Sequence, residues 1–348
     1  MGTKTPSPFI LGEKIMTQHD TVGILLTNLG TPAAPTPAAV RKYLAQFLSD
    51  RRVADSLPRP IWWLILHGII LRVRPAKSAR IYRRIWTSEG SPLLVISQRQ
   101  VSALQSVLDE RCSVPVRVEL GMRYQEPSLG EALQRLHADG VRKLLVVPLY
   151  PQYSAATTAS TFDEIASRMK GLRWLPALRF INGYHDDEGY ISALCESIRP
   201  VWAKRGPPDR LLFSFHGLPL RHIDSGDPYH GECETTVRLV CERLSLGDEQ
   251  WALSFQSRVG REEWLRPNTD ELLWQWGKEG VKRVDVVCPG FSADCVETLE
   301  EIAIRGRDTF LSAGGGALHY IPGLNDRPEH IRALADLAFS HAGDWLNG

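Results

Sequence analysis

The sequence predicts an α/β fold of two similar, doubly wound halves with parallel four-stranded-type sheets and a cleft between them. Three observations carry this expectation. Short apolar runs alternate with amphipathic helical patterns, the arrangement of parallel strands covered on both faces. A stretch of the first half recurs at an offset of 140 residues. Several apolar runs end in glycine or in a proline-containing loop, as strands do when they leave a sheet.

Taken in order, residues 1–20 lack periodicity and read as a loose tail. The folded part opens with the run 22–30 (VGILLTNLG), a buried strand that ends in glycine. Further strands are expected at 114–120, 143–148, 175–181, 210–215, 251–255 and 284–288, and helices over 128–138, 190–204, 235–244 and 270–279. The repeat aligns Pro127 with Pro267, Glu131 with Glu271, Leu133 with Leu273, Gly140 with Gly280 and Val146 with Val286. Both copies read helix, glycine, basic pair, apolar strand, then a loop, PLYPQYS in one and CPGFSAD in the other. An earlier echo pairs LLTNLG (25–30) with LFSFHG (212–217). The expected organisation is a tail (1–20), a first half (21–185), a second half (186–325) and a terminal helix (326–348).

Composition narrows the function. With 41 Lys+Arg against 40 Asp+Glu among 348 residues, the net charge is +1, which excludes the strongly basic field of a nucleic-acid binder. Hydrophobic residues at 43% suit a full core. Six cysteines (Cys112, Cys195, Cys233, Cys241, Cys288, Cys295) form no CxxC pair, and no long apolar leader stands at the start; this reads as a set of cytosolic thiols. The longest apolar stretch, 61–71 (IWWLILHGIIL), is about half of the ~20 residues a membrane span needs. It is followed by Arg72, Arg74, Lys77, Arg80, Arg83 and Arg84 with no acid among them. Such a segment suits a bilayer surface or, equally, a buried helix followed by a solvated one. Neither GxGxxG nor GxxxxGK[ST] occurs, and Gly314-Gly315-Gly316 lacks their spacing, so a nucleotide enzyme is not expected.

Ligands of open α/β sheets bind beyond the carboxyl ends of the strands, and the two halves differ there. His216 stands where the first half has Leu29, and Asp294, Glu297, Glu300 and Glu301 follow the second half's strand where the first half has the neutral SAATTASTF. Chemistry is therefore expected in the second half. If an α-helix starts near Ser292, Asp294, Glu297 and Glu301 share one stripe with Glu300 alongside. Such a row either carries protons or a divalent cation toward His216, or punctuates a helix N-terminus. His216 is either a proton acceptor and metal ligand or a histidine satisfied at a strand end. His222, His230 and Cys233 have no zinc spacing and read as loop residues.

The runs GILLTNLGTPAAPTPAAVRKYLAQFLSDRRV, GSPL, LGMRY, VVPLYPQYS, LLFSFHGLP, FQSRVGREEWLRP and VVCPGFSADCVETLEEI resemble ferrochelatase of the bacterial type, in order across residues 20–325. The resemblance implies a type II chelatase fold of two Rossmann-like halves. It also implies a lyase that inserts ferrous iron into protoporphyrin IX, the terminal step of heme biosynthesis. By position it implies His216 and Glu297 as catalytic and metal-meeting residues, and Asp294 and Glu301 as a proton or metal path. Leu29, Tyr82, Ser91, Arg123, Tyr124, Tyr150, Trp264 and Phe291 would then line the porphyrin pocket, Arg123 pairing with a propionate. Residues 41–90 would form the active-site lip, with 60–84 making peripheral contact with the inner membrane of an otherwise cytoplasmic protein, and a contact with the preceding heme-pathway enzyme is implied too.

Two departures matter. Many members have histidine where this chain has Cys295. Members with an iron–sulfur cluster use several cysteines, whereas here the first such position is Ala155 and no cysteine follows Cys295, so no cluster is expected and iron is substrate alone. The rival readings are a chelatase for coproporphyrin III or a sirohydrochlorin-type ring, and a non-catalytic tetrapyrrole or metal carrier; the apolar run 61–71 favours protoporphyrin.

Overall fold

A computed structural model describes residues 21–260 and 262–347; the expected tail lies outside the described residues. The strands are β1 (Val22–Gly30), β2 (Val116–Tyr124), β3 (Lys143–Pro148), β4 (Ala177–Phe180), β5 (Arg210–His216), β6 (Trp251–Gln256), β7 (Arg283–Val287) and β8 (Ala317–Tyr320). They form two parallel sheets in the same order, β2-β1-β3-β4 and β6-β5-β7-β8. The sequence repeat is thus a repeat of topology. Strand β8 was not among the expected strands, because its ALHY has a single fully buried side chain, Leu318, and no apolar run marks so short an edge strand.

The helices are α1 (Pro37–Ser49), α2 (Arg59–Ile65), α3 (Leu71–Ile85), α4 (Pro92–Arg111), α5 (Leu129–Ala138), α6 (Ser160–Met169), α7 (Glu188–Arg205), α8 (Leu220–Asp224), α9 (Tyr229–Leu244), α10 (Thr269–Lys278), α11 (Arg307–Ser312) and α12 (Pro328–Leu346). Wider π-helical turns occupy Leu66–Ile70, Ala155–Ala159 and Glu297–Gly306. The repeated helices start and stop by the same devices. Ser128 and Glu131 form a capping box at α5, and Asn268 caps α10 through the amides of Asp270 and Glu271. Both end in a glycine with left-handed φ, Gly140 at +78° and Gly280 at +75°. The next residues, Val141 and Val281, donate back to Leu136 and Trp276 and turn the chain into β3 and β7.

Strand β1 is buried almost throughout, which explains its unbroken apolar sequence. It ends at Gly30, whose φ of +104° and position against the Tyr124 carbonyl, 1.9 Å from where a Cβ would be, admit no side chain. The main core is continuous across both halves, drawing on β1, β2 and β3, on β5 and β6, and on α4, α7, α9 and α12. The lip, α1 through α3, has a separate core around Tyr43, Leu44, Leu66, Leu71, Ala79 and Tyr82. Half-buried Val296, Leu299 and Ile304 of the second half pack against it.

The apolar run in the lip is not a buried helix. Ile61, Trp63, Leu64 and Ile69 are 50–63% exposed, and Val73 is 71% exposed. Trp62 turns inward and its Nε1–H donates to the Leu48 carbonyl at 2.6 Å. Among the described residues no helix is long and apolar enough to cross a membrane.

Candidate active site

In each sheet the order reverses beside the first strand of the half, so the loops after β1 and β3, and after β5 and β7, open onto a crevice. His216 ends β5, level with Gln256 at the end of β6. Its Nδ1 lies 2.7 Å from the Gly217 carbonyl. A carbonyl only accepts, so Nδ1 carries the hydrogen, and of the two neutral tautomers this one has its lone pair at Nε2. Gly217, the residue after His216, is held tight beneath the Trp264 ring, whose Cε3 would lie 3.2 Å from an added Cβ.

The carboxylates follow β7, but not as an α-helix from Ser292. The chain runs through a loop and becomes a π-helix at Glu297–Gly306. Its i→i+5 bonds widen the turn and redistribute the acids around the axis. Glu297 faces the cleft. Glu301 accepts from Ser257 Oγ at 2.5 Å and from Gln256 Nε2 at 3.5 Å, and Arg305 lies 3.4 Å away. Burial raises the Glu301 pKa, outweighing the Ser257 hydrogen bond; the Glu297 charge adds to the rise, and Arg305 and His216 oppose it. His216, Glu297 and Glu301 thus form one electrostatic group. Glu300, expected alongside, turns instead to the lip, where Arg84 Nη1 donates to its Oε1 at 2.6 Å.

Asp294 is occupied elsewhere. Its Oδ1 accepts from Thr298 Oγ1 at 2.9 Å, Tyr320 OH at 2.5 Å and the Gly323 amide at 3.3 Å, and its Oδ2 accepts from Asn325 Nδ2 at 2.8 Å. These bonds pin the 323–325 loop to the start of the π-helix. Neighbouring Cys295 is buried, and burial, reinforced by the Glu297 charge, pushes its thiol pKa up, so it stays protonated.

A cleft with about 230 Å³ of empty space opens between β1, the lip and the π-helix, lined by Leu29, Tyr43, Tyr82, Ser91, Cys295 and Glu297 among others. Leu29, Tyr82 and Ser91 are porphyrin positions implied by the resemblance. Ser91 and Thr31 share a hydrogen bond at 2.8 Å. Phe291 packs near Leu93, Ala293 and Cys295. The Tyr150 hydroxyl and the Trp264 Nε1–H are buried without a protein partner. Arg123 and Tyr124 are engaged: Arg123 Nη2 donates to Asp50 at 2.5 Å, Tyr124 OH donates to Asp50 at 2.8 Å, and Ser160 Oγ joins them at 2.6 Å. Burial works to raise the Asp50 pKa, but these donors and the Arg52 amide together lower it. Arg123 would have to yield Asp50 to hold a propionate.

Sequence reasoning missed Gln256, Ser257, Tyr43 and Asp50. Gln256 Nε2 donates to the Glu297 carbonyl at 2.7 Å while its Oε1 accepts from Ser214 at 2.7 Å, so it anchors the π-helix to β5. Ser257 reaches Glu301 from a left-handed backbone, φ +66°, unusual for a residue with a side chain. The signal available was the run FQS at the end of a buried strand. Among the described residues no three His, Cys, Asp or Glu side chains converge as a ready metal cage.

The family model described as Ferrochelatase matches residues 21–342. A ferrochelatase of Nitrosococcus oceani is 55% identical over 331 residues, covering 94% of this chain and 89% of that protein. One from Thioalkalivibrio sulfidiphilus is 53% identical over 324 residues, covering 93% and 88%. Among solved structures, SirB from Bacillus subtilis with Fe3+ superposes with a TM-score of 0.55 at 14% identity, covering 93% of this chain and 97% of that one. A sirohydrochlorin chelatase SirB from Bacillus subtilis subspecies spizizenii, in complex with cobalt, gives 0.53 at 13%, covering 94% and 95%. At that identity the likeness establishes the fold, a type II chelatase. The match to the family along almost the entire described length, with relatives more than half identical, makes this chain a member of the ferrochelatase family.

Proposed function

We propose that the chain exchanges the two pyrrole N–H protons of protoporphyrin IX for one Fe2+, with His216 as proton acceptor and Glu297 as its partner at the metal. Iron insertion into a porphyrin is the activity of the family; the residue roles come from the resemblance, and the geometry of His216 supports them. The observation that carries them is the His216 tautomer: the Gly217 carbonyl holds the Nδ1 hydrogen and leaves Nε2 free to take a proton. Glu297 and Glu301 accept the positive charge this creates, whether as proton or as incoming iron. The raised Glu301 pKa, caused first by burial, brings proton acceptance nearer to neutral pH. Leu29, Tyr82, Phe291 and Trp264 supply apolar and aromatic walls for the ring faces. The unpartnered Tyr150 hydroxyl and Trp264 Nε1–H are available to polar groups of the substrate. His216→Ala is expected to lower anaerobic chelation of Fe2+ by protoporphyrin IX by ~10²–10⁴ in kcat. Activity near the wild-type level would remove His216 from the mechanism, and comparison with coproporphyrin III tests the choice of ring.

The exposed apolar face of residues 60–84 beside its arginines supports peripheral docking on an anionic membrane, near which the preceding heme-pathway enzyme would pass on its product. Trp63→Asp is expected to weaken sedimentation with phosphatidylglycerol vesicles about tenfold. Unchanged sedimentation removes this face from membrane contact. Iron enters this reading as substrate alone. An iron–sulfur cluster is left out of this reading because Ala155 stands at the first cluster-cysteine position that the resemblance implies, and acid-labile sulfide analysis of anaerobically purified protein tests it.

A further inference from the structure

The cleft is closed to its proposed occupant. Between α3 and the start of the π-helix its lining side chains Tyr43, Tyr82, Ser91, Leu93 and Cys295 are all buried against one another, which leaves no open face for a tetrapyrrole. Admission of a porphyrin therefore requires α3 to draw away from the π-helix. The lip can do this without opening the main core, because its apolar cluster is separate. On the far side of the cleft the halves are fixed: buried Gln100 donates to the carbonyls of Ser292 at 2.8 Å and Asn325 at 3.0 Å. The root of the lip is fixed too, since Asp50 takes the hydrogen bonds of Ser160, Arg123 and Tyr124.

Two kinds of contact cross the moving edge: the apolar packing of Val296, Leu299 and Ile304 on the lip core, which is not directional, and the directional ion pair between Arg84 and Glu300. Arg84 lies two residues beyond Tyr82, which lines the cleft, and Glu300 lies three beyond Glu297. The Glu300 side chain is 5% exposed and that of Arg84 is 48% exposed, so separation strands a carboxylate away from water. A second lip contact with the second half, Arg221 to Asp55 at 2.6 Å, is exposed on both sides and holds little.

We propose that the Arg84–Glu300 pair is a latch that holds α3 against the π-helix and thereby sets how readily protoporphyrin is admitted and how closely Glu297 is held over it. Arg84 and Glu300 are positioning residues in this scheme, and neither touches the reacting atoms. The proposal rests on the porphyrin reading of the cleft. Its test is stopped-flow uptake of protoporphyrin IX by the full chain without metal, followed by tryptophan quenching, in wild type, Arg84→Gln, Arg84→Lys, Glu300→Gln and the double variant Arg84→Gln/Glu300→Gln. Arg84→Gln and Glu300→Gln are each expected to raise the association rate constant at least about threefold, the double variant no further, and Arg84→Lys to remain near wild type. If Arg84→Gln leaves too costly a buried charge to fold, Glu300→Gln, which leaves none, carries the test alone. Association rates unchanged in the folded single variants, or additive increases in the double variant, overturn the latch. Wild-type protein that takes up no protoporphyrin overturns the functional reading itself.

Discussion

The π-helical segments that follow β3 and β7 hold matching places in the two halves and differ in chemistry. At the offset of 140 residues, Thr157, Ser160 and Thr161 of the first half correspond to Glu297, Glu300 and Glu301 of the second. The first set is hydroxylic and largely closes on itself, as when Thr161 Oγ1 donates to the Thr157 carbonyl at 3.0 Å. A carboxylate donates nothing when ionised, so the second set must recruit donors from outside: Ser257 for Glu301, Arg84 for Glu300. Ser160 ties the root of the lip and Glu300 ties its tip. The duplicated framework thus supplies equivalent positions, which one half fills with hydroxyls and the other with carboxylates.

The largest break in this equivalence is expected at its first pair. Glu297→Gln should lower kcat for iron insertion by ~10² or more, whereas the matching Thr157→Val should stay within about twofold. Equal losses at both would mean that the first half shares the chemistry. The next pair, Asp294 and Ser154, separates scaffold from path. Asp294→Ala strands several buried donors and should cost roughly 2–4 kcal/mol of stability, while Ser154→Ala, which removes a cap at the first π-turn, should cost about 1 kcal/mol. Urea denaturation measures both. A large fall in kcat without a stability loss in Asp294→Ala would place Asp294 in the proton or metal path.

The smallest expected effect is a pH dependence. The folded Glu301 pKa is raised above its ordinary 4.5, so the folded state binds more protons there than the unfolded chain and stability falls as pH rises from 4.5 through the folded value. Glu301→Gln removes that penalty. Its melting temperature should exceed that of wild type near neutral pH, with the gap closing toward pH 4.5. A gap that does not change with pH would mean that Glu301 burial costs nothing in charge.

Much of the scaffold was legible because parallel strands buried on both faces write themselves as apolar runs, as at 22–30 and 210–215. The capped, glycine-ended helices before β3 and β7 were legible for the same local reasons. The second half stood out because His216 and the acids interrupt an otherwise matching pattern. Less legible were features without a local signature. The π-helix places its acids differently from the expected α-helical stripe, since the wider turn depends on how Gln256 and the lip hold it. The engagement of Arg123 by Asp50 joins residues 73 apart in the chain.

By itself the sequence determined two equivalent parallel sheets, the strand-end position of His216, the row of carboxylates after β7, and an apolar segment abutting arginines, because each is set by local periodicity or by residue type at a repeated position. Only the tertiary structure decided how these groups are used. It kept Ile61, Trp63, Leu64 and Ile69 exposed while burying Leu66, tied Asp294 to the 323–325 loop, gave Glu301 to Ser257 and gave Glu300 to Arg84. The reason is that a buried carboxylate takes its role from the donors that reach it, and here those donors come from distant strands, loops and the lip.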